Sequence, residues 1–364
     1  MRLEVEAALV RGELVPGDVE VDDGLVVEVG LPTAVRGRIA VPGFVDLQVN
    51  GFAGVDFLAA TTADYERAGQ ALLEGGVTAY QPTFITAPES VLVDALRAMP
   101  ANGATPRIVG AHVEGPFLSP ERLGTHPREH RRDPDVALFE RLFDAARVTE
   151  VTLAPELAGA DALVQFALER GAVVSAGHTN ATAEEAHAAF DLGVSTVTHV
   201  FNAMRPFRSR DPGVVGAALT RPDVFVQMIV DGHHLADETV RLVWAAAGGR
   251  LALVTDATAG AAVDPGSYQL GDVEIEIAHG GVPLREDGVF AGTVLTMIEA
   301  VRNLHALGIG FEDAIGAATS VPARILGRPE LGVLEPGGLA DVVVLDDRLE
   351  VVRVVCGGDA RVVA

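Results

Sequence analysis

The sequence predicts an α/β chain, a TIM-like (β/α)8 barrel carrying a small β-sandwich domain built from both chain termini. Two observations lead there. Eight short apolar runs alternate with amphipathic helical stretches between residues 41 and 330, and a parallel strand followed by a helix, repeated eight times, closes into a barrel. Both chain ends read instead as short β segments divided by turn residues. A length of 364 residues is ample for one large barrel with an attachment. A doubly wound open sheet is the competing arrangement. No G-x-G-x-x-G follows the first run, which weakens its dinucleotide-binding form.

Taken in order, Val19 and Val21 precede the turn signal Asp22-Asp23-Gly24, and an apolar stretch over 25–29 follows it, a hairpin pattern. The eight runs are 44–49, 77–84, 107–113, 150–154, 172–176, 194–200, 224–230 and 250–254. Thr86-Ala87-Pro88-Glu89 reads as a capping box opening a helix over 88–99. Thr182-Ala183-Glu184-Glu185 opens another, closed by Gly193. Residues 264–292 interrupt the alternation and read as an inserted β-hairpin, with Val273, Ile275 and Ile277 on one face. After the turn Glu335-Pro336-Gly337-Gly338, segments over 339–345 and 351–355 and the pair Val362-Val363 supply further strands. The expected division is therefore 1–40 plus 331–364 for the sandwich and 41–330 for the barrel.

Charge narrows the function. Acidic residues number 51 and basic ones 27, a net charge of −24. Such a field opposes nucleic acid and anionic membranes, so neither is an expected partner. A phosphorylated small molecule needs only a local basic pocket. Every basic residue is arginine. The absence of lysine excludes Schiff-base, pyridoxal-phosphate and P-loop lysine chemistry, and a metal pair bridged by a carboxylated lysine. The single cysteine, Cys356, rules out an intrachain disulfide and a cysteine-rich zinc cluster, and its strand context reads as packing. The first residues alternate apolar and charged side chains, unlike a secretory signal, and no apolar run approaches the ~18 residues of a membrane span. A cytoplasmic chain is expected.

In such a barrel the reactive groups sit at the C-terminal strand ends, facing one mouth. Those ends read Gln48-Val49-Asn50, His112-Val113-Glu114-Gly115, Gly177-His178-Thr179, Thr198-His199-Val200, Asp231-Gly232-His233-His234 and Thr255-Asp256-Ala257. A lone histidine at a strand end is usually a hydrogen-bonded structural group. Here Glu114, His178, His199 and Asp256 recur at the same end of four strands. Two neutral imidazoles and a carboxylate, with water, suit a divalent cation that keeps an open position. His130, His187, His279 and His305 lie in loop, helix or hairpin patterns and read as structural or solvated.

A wider set of motifs carries a resemblance. Pro42-Gly43-Phe44-Val45-Asp46, His112-Val113-Glu114-Gly115-Pro116-Phe117, Gly124-Thr125-His126-Pro127, Ser175-Ala176-Gly177-His178-Thr179-Asn180-Ala181-Thr182, Thr198-His199-Val200-Phe201-Asn202-Ala203-Met204, Val230-Asp231-Gly232-His233-His234, Leu253-Val254-Thr255-Asp256-Ala257 and Ala291-Gly292-Thr293-Val294-Leu295-Thr296-Met297 run in order over nearly the whole chain. In these the sequence resembles the N-acetylglucosamine-6-phosphate deacetylases of the amidohydrolase superfamily. The resemblance implies hydrolysis of the acetamide of N-acetylglucosamine 6-phosphate to glucosamine 6-phosphate and acetate. It implies one divalent metal per subunit, zinc first, with iron, cobalt or manganese also suited. Glu114, His178 and His199 would be its ligands, its bound water the nucleophile, and Asp256 the general base and acid. His126 would touch the substrate and polarise the amide carbonyl. Asn202 and Ala203 would hold the phosphosugar. Arg210 and His234 would bind its phosphate, in a homodimer with the phosphate site shared across the interface. Arg205 and Arg208 compete with Arg210 for that role, and His233 with His234. Many superfamily members carry His-x-His at the first strand end, where this chain has Gln48-Val49-Asn50, so a second buried metal is not expected. The alternatives are an amidohydrolase acting on another N-acyl sugar phosphate and a catalytically silent sugar-phosphate-binding barrel.

Overall fold

The computed structural model describes residues 1–101, 103 and 105–362. Val363, part of the last expected strand, lies outside them. All eight apolar runs become parallel strands. They are Phe44–Val49, Val77–Ile85, Arg107–Ile108 with Ala111–Glu114, Val148–Leu153, Val173–Ala176, Thr196–Val197, Phe225–Met228 and Leu251–Leu253. Each pairs with the next in a parallel ladder. The seam between first and last is drawn together by a parallel bridge from Val49 to Ala257. There the Asp256 amide donates to the Gln48 carbonyl at 3.0 Å and the Asn50 amide to the Ala257 carbonyl at 2.8 Å. The open-sheet alternative is thereby excluded.

Helices occupy every crossover, from Thr62–Glu74 after the first strand to Asp237–Ala247 before the eighth, and Met297–Ala306 follows the hairpin. The Thr182 signal folds as expected. Its side chain caps Ala183–Leu192 in a full capping box with Glu185, and Gly193 closes the helix in the left-handed conformation. The Thr86 signal does not. The helix runs Glu89–Ala98, its N-cap is Pro88, and no side chain caps it. Thr86 is buried one residue past the second strand and is taken up elsewhere, as described below.

The termini meet in a six-stranded sheet ordered Glu13–Pro16, Ala7–Val10, Arg38–Pro42, Val342–Asp346, Val351–Cys356 and Asp359–Val362. It is antiparallel except where Ala7–Val10 lies parallel to Arg38–Pro42. Asp18–Asp22 and Leu25–Leu31 form the expected second hairpin, with Asp23 and Gly24 at φ +46° and +76° in its turn. Leu3, Val5, Val19, Val21, Leu334, Val342, Val344 and Val355 fill a hydrophobic cluster separate from the main core. Cys356 is buried in its strand. The insertion after the eighth strand is a small three-stranded sheet, Gly266–Leu270, Val273–Ile277 and Pro283–Leu284, one short strand more than a hairpin. Among the described residues, no helix is long and apolar enough to cross a membrane.

Candidate active site

The residues predicted from the strand ends converge. Glu114 ends the third strand, and His178 and His199 each lie two residues past theirs. Glu114 Oε1 is 3.0 Å from His199 Nε2 and 3.2 Å from His178 Nε2, and the two Nε2 atoms are 3.2 Å apart. All three side chains are buried. The tautomer of His178 follows from its other nitrogen. Nδ1 lies 3.0 Å from the Arg122 carbonyl, which can only accept, so Nδ1 carries the proton and Nε2 presents a lone pair. Two imidazole nitrogens and a carboxylate oxygen aimed at one point are a donor set for a divalent cation. Burial alone would raise the Glu114 carboxyl. The imidazoles of His178 and His199 beside it outweigh burial and hold it well below the usual carboxylate range.

Gln48 and Asn50 each serve a carboxylate. Gln48 Nε2 donates to Glu114 Oε2 at 3.1 Å, and Asn50 Nδ2 donates to Asp256 Oδ1 at 2.6 Å. The first strand end therefore orients an acid of the cluster and the proposed base. Asp256 itself is raised to about 6, by burial first and then by the negative charge of Glu114.

His126 is placed by Thr86. The Thr86 amide donates to His126 Nδ1 at 3.2 Å, and its hydroxyl lies 2.9 Å from the same nitrogen. Nδ1 is thus the acceptor, and the proton sits on Nε2, 3.8 Å from Glu114 Oε2. Burial and the neighbouring His178 push the imidazole pKa well down, so the ring is neutral with one N–H to offer. The helix-cap pattern hid this role, because Thr86 and Glu89 have a spacing that fits both readings.

These groups line one cavity of about 190 Å³ together with Asn202, Ala203, His234 and an apolar wall of Ile85, Ile229, Leu270 and Phe290. The wall residues come partly from the inserted sheet, whose contribution to the site had no sequence signal. His234 is oriented by Asp231, 2.7 Å from its Nδ1, whereas His233 is exposed. Asn202 Nδ2 donates to the His199 carbonyl at 3.1 Å. Arg205 is committed to Asp211, with Nε 2.9 Å from Oδ1 and Nη2 2.8 Å from Oδ2. Arg208 and Arg210 lie exposed on the same loop. Among the described residues, no arginine lines the cavity.

Comparison with known proteins agrees with this geometry. The amidohydrolase family model matches residues 39–361. Human N-acetylglucosamine-6-phosphate deacetylase is 36% identical over 344 residues, covering 89% of this chain and 83% of that one. N-acetylgalactosamine-6-phosphate deacetylase of Escherichia coli O157:H7 is 34% identical, covering 94% of each. Among solved structures, an N-acetyl-D-glucosamine-6-phosphate deacetylase variant from Mycobacterium smegmatis, in complex with N-acetyl-D-glucosamine-6-phosphate, superposes with a TM-score of 0.93 at 35% identity. It covers 99% of this chain and 98% of that one. With family match, fold and buried acid–histidine cluster in agreement, the chain belongs to the amidohydrolase family, in the branch of the N-acetylglucosamine-6-phosphate deacetylases.

Proposed function

We propose that this chain hydrolyses the acetamide of N-acetylglucosamine 6-phosphate, releasing acetate and glucosamine 6-phosphate. The observation that carries the reading is the buried Glu114–His178–His199 cluster opening onto the same cavity as Asp256 and His126. A divalent cation held by those three side chains, zinc first and iron, cobalt or manganese next, would supply Lewis acidity and a water of lowered pKa. The chain's own groups do the rest. Asp256, steadied at Oδ1 by Asn50, keeps Oδ2 to take the proton of the attacking water and return it to the leaving amine. His126 offers Nε2–H to the acetyl oxygen as negative charge grows there, and Thr86 keeps that proton on Nε2. Asn202 and Ala203 hold the sugar, and His234, turned by Asp231, meets the phosphate.

The phosphate needs more than His234. Arg210 stands exposed three residues after Phe207, itself 49% exposed, on a loop braced by the Arg205–Asp211 pair. Such a loop suits a homodimer in which Arg210 of one copy completes the cavity of the other. A division into 1–40 plus 331–364 and 41–330 is supported by the second hydrophobic cluster, which lies wholly within the terminal segments, while Leu9, Val343, Leu345 and Val354 of those segments pack into the main core.

A second reading, N-acetylgalactosamine 6-phosphate as substrate, is favoured by the Escherichia coli relative. Turnover by the metal-loaded protein on both epimers, and on their unphosphorylated forms, decides. Acetate release from N-acetylglucosamine 6-phosphate at the highest kcat/KM is expected. Preference for the galacto epimer would move the assignment, and no turnover on either would favour a silent binding barrel.

A further inference from the structure

Just beyond His178 the chain is gripped by an acid that the chemistry above does not use. Glu156 lies three residues past the fourth barrel strand, Val148–Leu153. Its Oε2 accepts the Thr179 hydroxyl at 2.5 Å, and its Oε1 accepts the Asn180 amide at 2.7 Å. Both oxygens are therefore spent on the two residues following His178. That histidine sits at φ +47°, a left-handed conformation that a residue with a Cβ rarely keeps unless its surroundings impose it.

The contacts continue and close on themselves. Asn180 Oδ1 accepts Arg122 Nε–H at 2.9 Å, and Asn180 Nδ2 donates to Glu121 Oε2 at 2.9 Å. The Arg122 carbonyl is the acceptor of His178 Nδ1–H. A circuit thus runs from the His178 ring through Arg122 and Asn180 to Glu156, and back through Thr179 to the His178 backbone. His199 has no comparable anchor, since its Nδ1 is buried without a hydrogen-bond partner among the described residues. Of the two imidazoles, that of His178 is the one fixed through its Nδ1.

We propose that Glu156 is a positioning residue for the metal centre, holding Thr179 and Asn180 so that the Arg122 carbonyl fixes the direction and tautomer of the His178 imidazole. This rests on the metal-dependent reading above. The partners that orient a liganding histidine typically tune metal affinity by about 10–100-fold. The test uses the full chain, with zinc affinity measured by competition against a chromophoric chelator and Tm measured without zinc. Glu156→Ala is expected to weaken zinc by about 10–100-fold. Glu156→Gln keeps one acceptor for the Asn180 amide and is expected to weaken it less. Saturating zinc should restore most of kcat in both. Should Glu156→Ala fail to fold, Glu156→Gln and Asn180→Ala carry the same comparison. Zinc affinities within two-fold of wild type would overturn the assignment, whatever happens to Tm, since a purely structural role lowers Tm alone. A wild-type chain that binds zinc but cleaves no N-acetylhexosamine 6-phosphate would instead overturn the proposed reaction and leave the role of Glu156 standing. Failure of the wild type to take up any divalent cation would overturn both.

Discussion

One oxygen of Asp256 is committed to Asn50 and the other is left to move a proton. Asp256→Asn can keep the first contact by turning its amide oxygen toward Asn50, but it cannot accept the proton. The variant should fold, take up metal, and lose about 10²–10⁴-fold in kcat, the usual contribution of a general base. Activity within a few-fold of wild type would remove Asp256 from the mechanism, and loss of metal with activity would make it a ligand. Deeper in the barrel, Glu150 behaves differently. It is buried, its Oε1 accepts Gln227 Nε2–H at 2.5 Å, and burial pushes its carboxyl up to about 8 from 4.5. Asp46, also buried, is raised in the same direction, to about 7. A raised folded pKa means that the native state binds the proton more tightly than the unfolded chain. The stability Glu150 contributes is therefore full below about pH 4.5 and is lost as pH rises through about 8. Thermal melts should fall between pH 6 and pH 9, and Glu150→Gln, which mimics the neutral acid, should flatten that fall. An unchanged slope would mean that Glu150 ionises in the core at no cost.

The strand ends share a backbone device. His178, His199 and Asp256, two or three residues past their strands, have φ of +47°, +31° and +50°. Each turns sharply where the strand stops and swings its side chain over the barrel mouth. Residue types at those ends were legible in the sequence because a parallel barrel puts every strand's C-terminus on one face. The eight runs and the Thr182–Gly193 helix were legible for the same local reasons of periodicity and capping. The supporting contacts were not. Thr86 fits the spacing of a helix cap, yet it holds His126, a residue forty positions away. Glu156 grips a loop belonging to the next strand. No local pattern encodes contacts between successive strand ends. Gly115 shows how tight that layer is. Its φ is +87°, and a Cβ there would lie 2.3 Å from Thr86 Oγ1. Gly115→Ala should therefore cost about 1–3 kcal/mol of stability and loosen His126 through Thr86. Unaltered Tm and kcat together would show that the loop absorbs the methyl group.

At the scale of the whole molecule, the charge and the proposed substrate are in conflict. A chain of net charge −24 would bind a sugar phosphate that is a dianion near neutral pH. Lacking lysine, it can offset that field only with arginine or histidine. The cavity holds His234 but no arginine among the described residues, and Arg205 is spent on Asp211. Arg208 and Arg210 stay exposed on that loop. Of the two we propose Arg210, whose planar fork could make two charge-assisted bonds to one phosphate, in a homodimer across the interface. Arg210→Ala is then expected to raise KM strongly for the phosphorylated sugar and to change the poor turnover of free N-acetylglucosamine little. Equal losses on both substrates would make Arg210 a support of the fold, and no loss would return the phosphate site to Arg208 or elsewhere. Mixing chains locates the clamp. A dimer of one Arg210→Ala chain with one Asp256→Asn chain contains one site with an intact Asp256 and an intact Arg210 only if the arginine crosses between copies. Recovered activity in the mixture, rising as the two chains exchange, supports the shared site. No recovery, with exchange confirmed by mass spectrometry of the intact dimer, places phosphate binding within each chain.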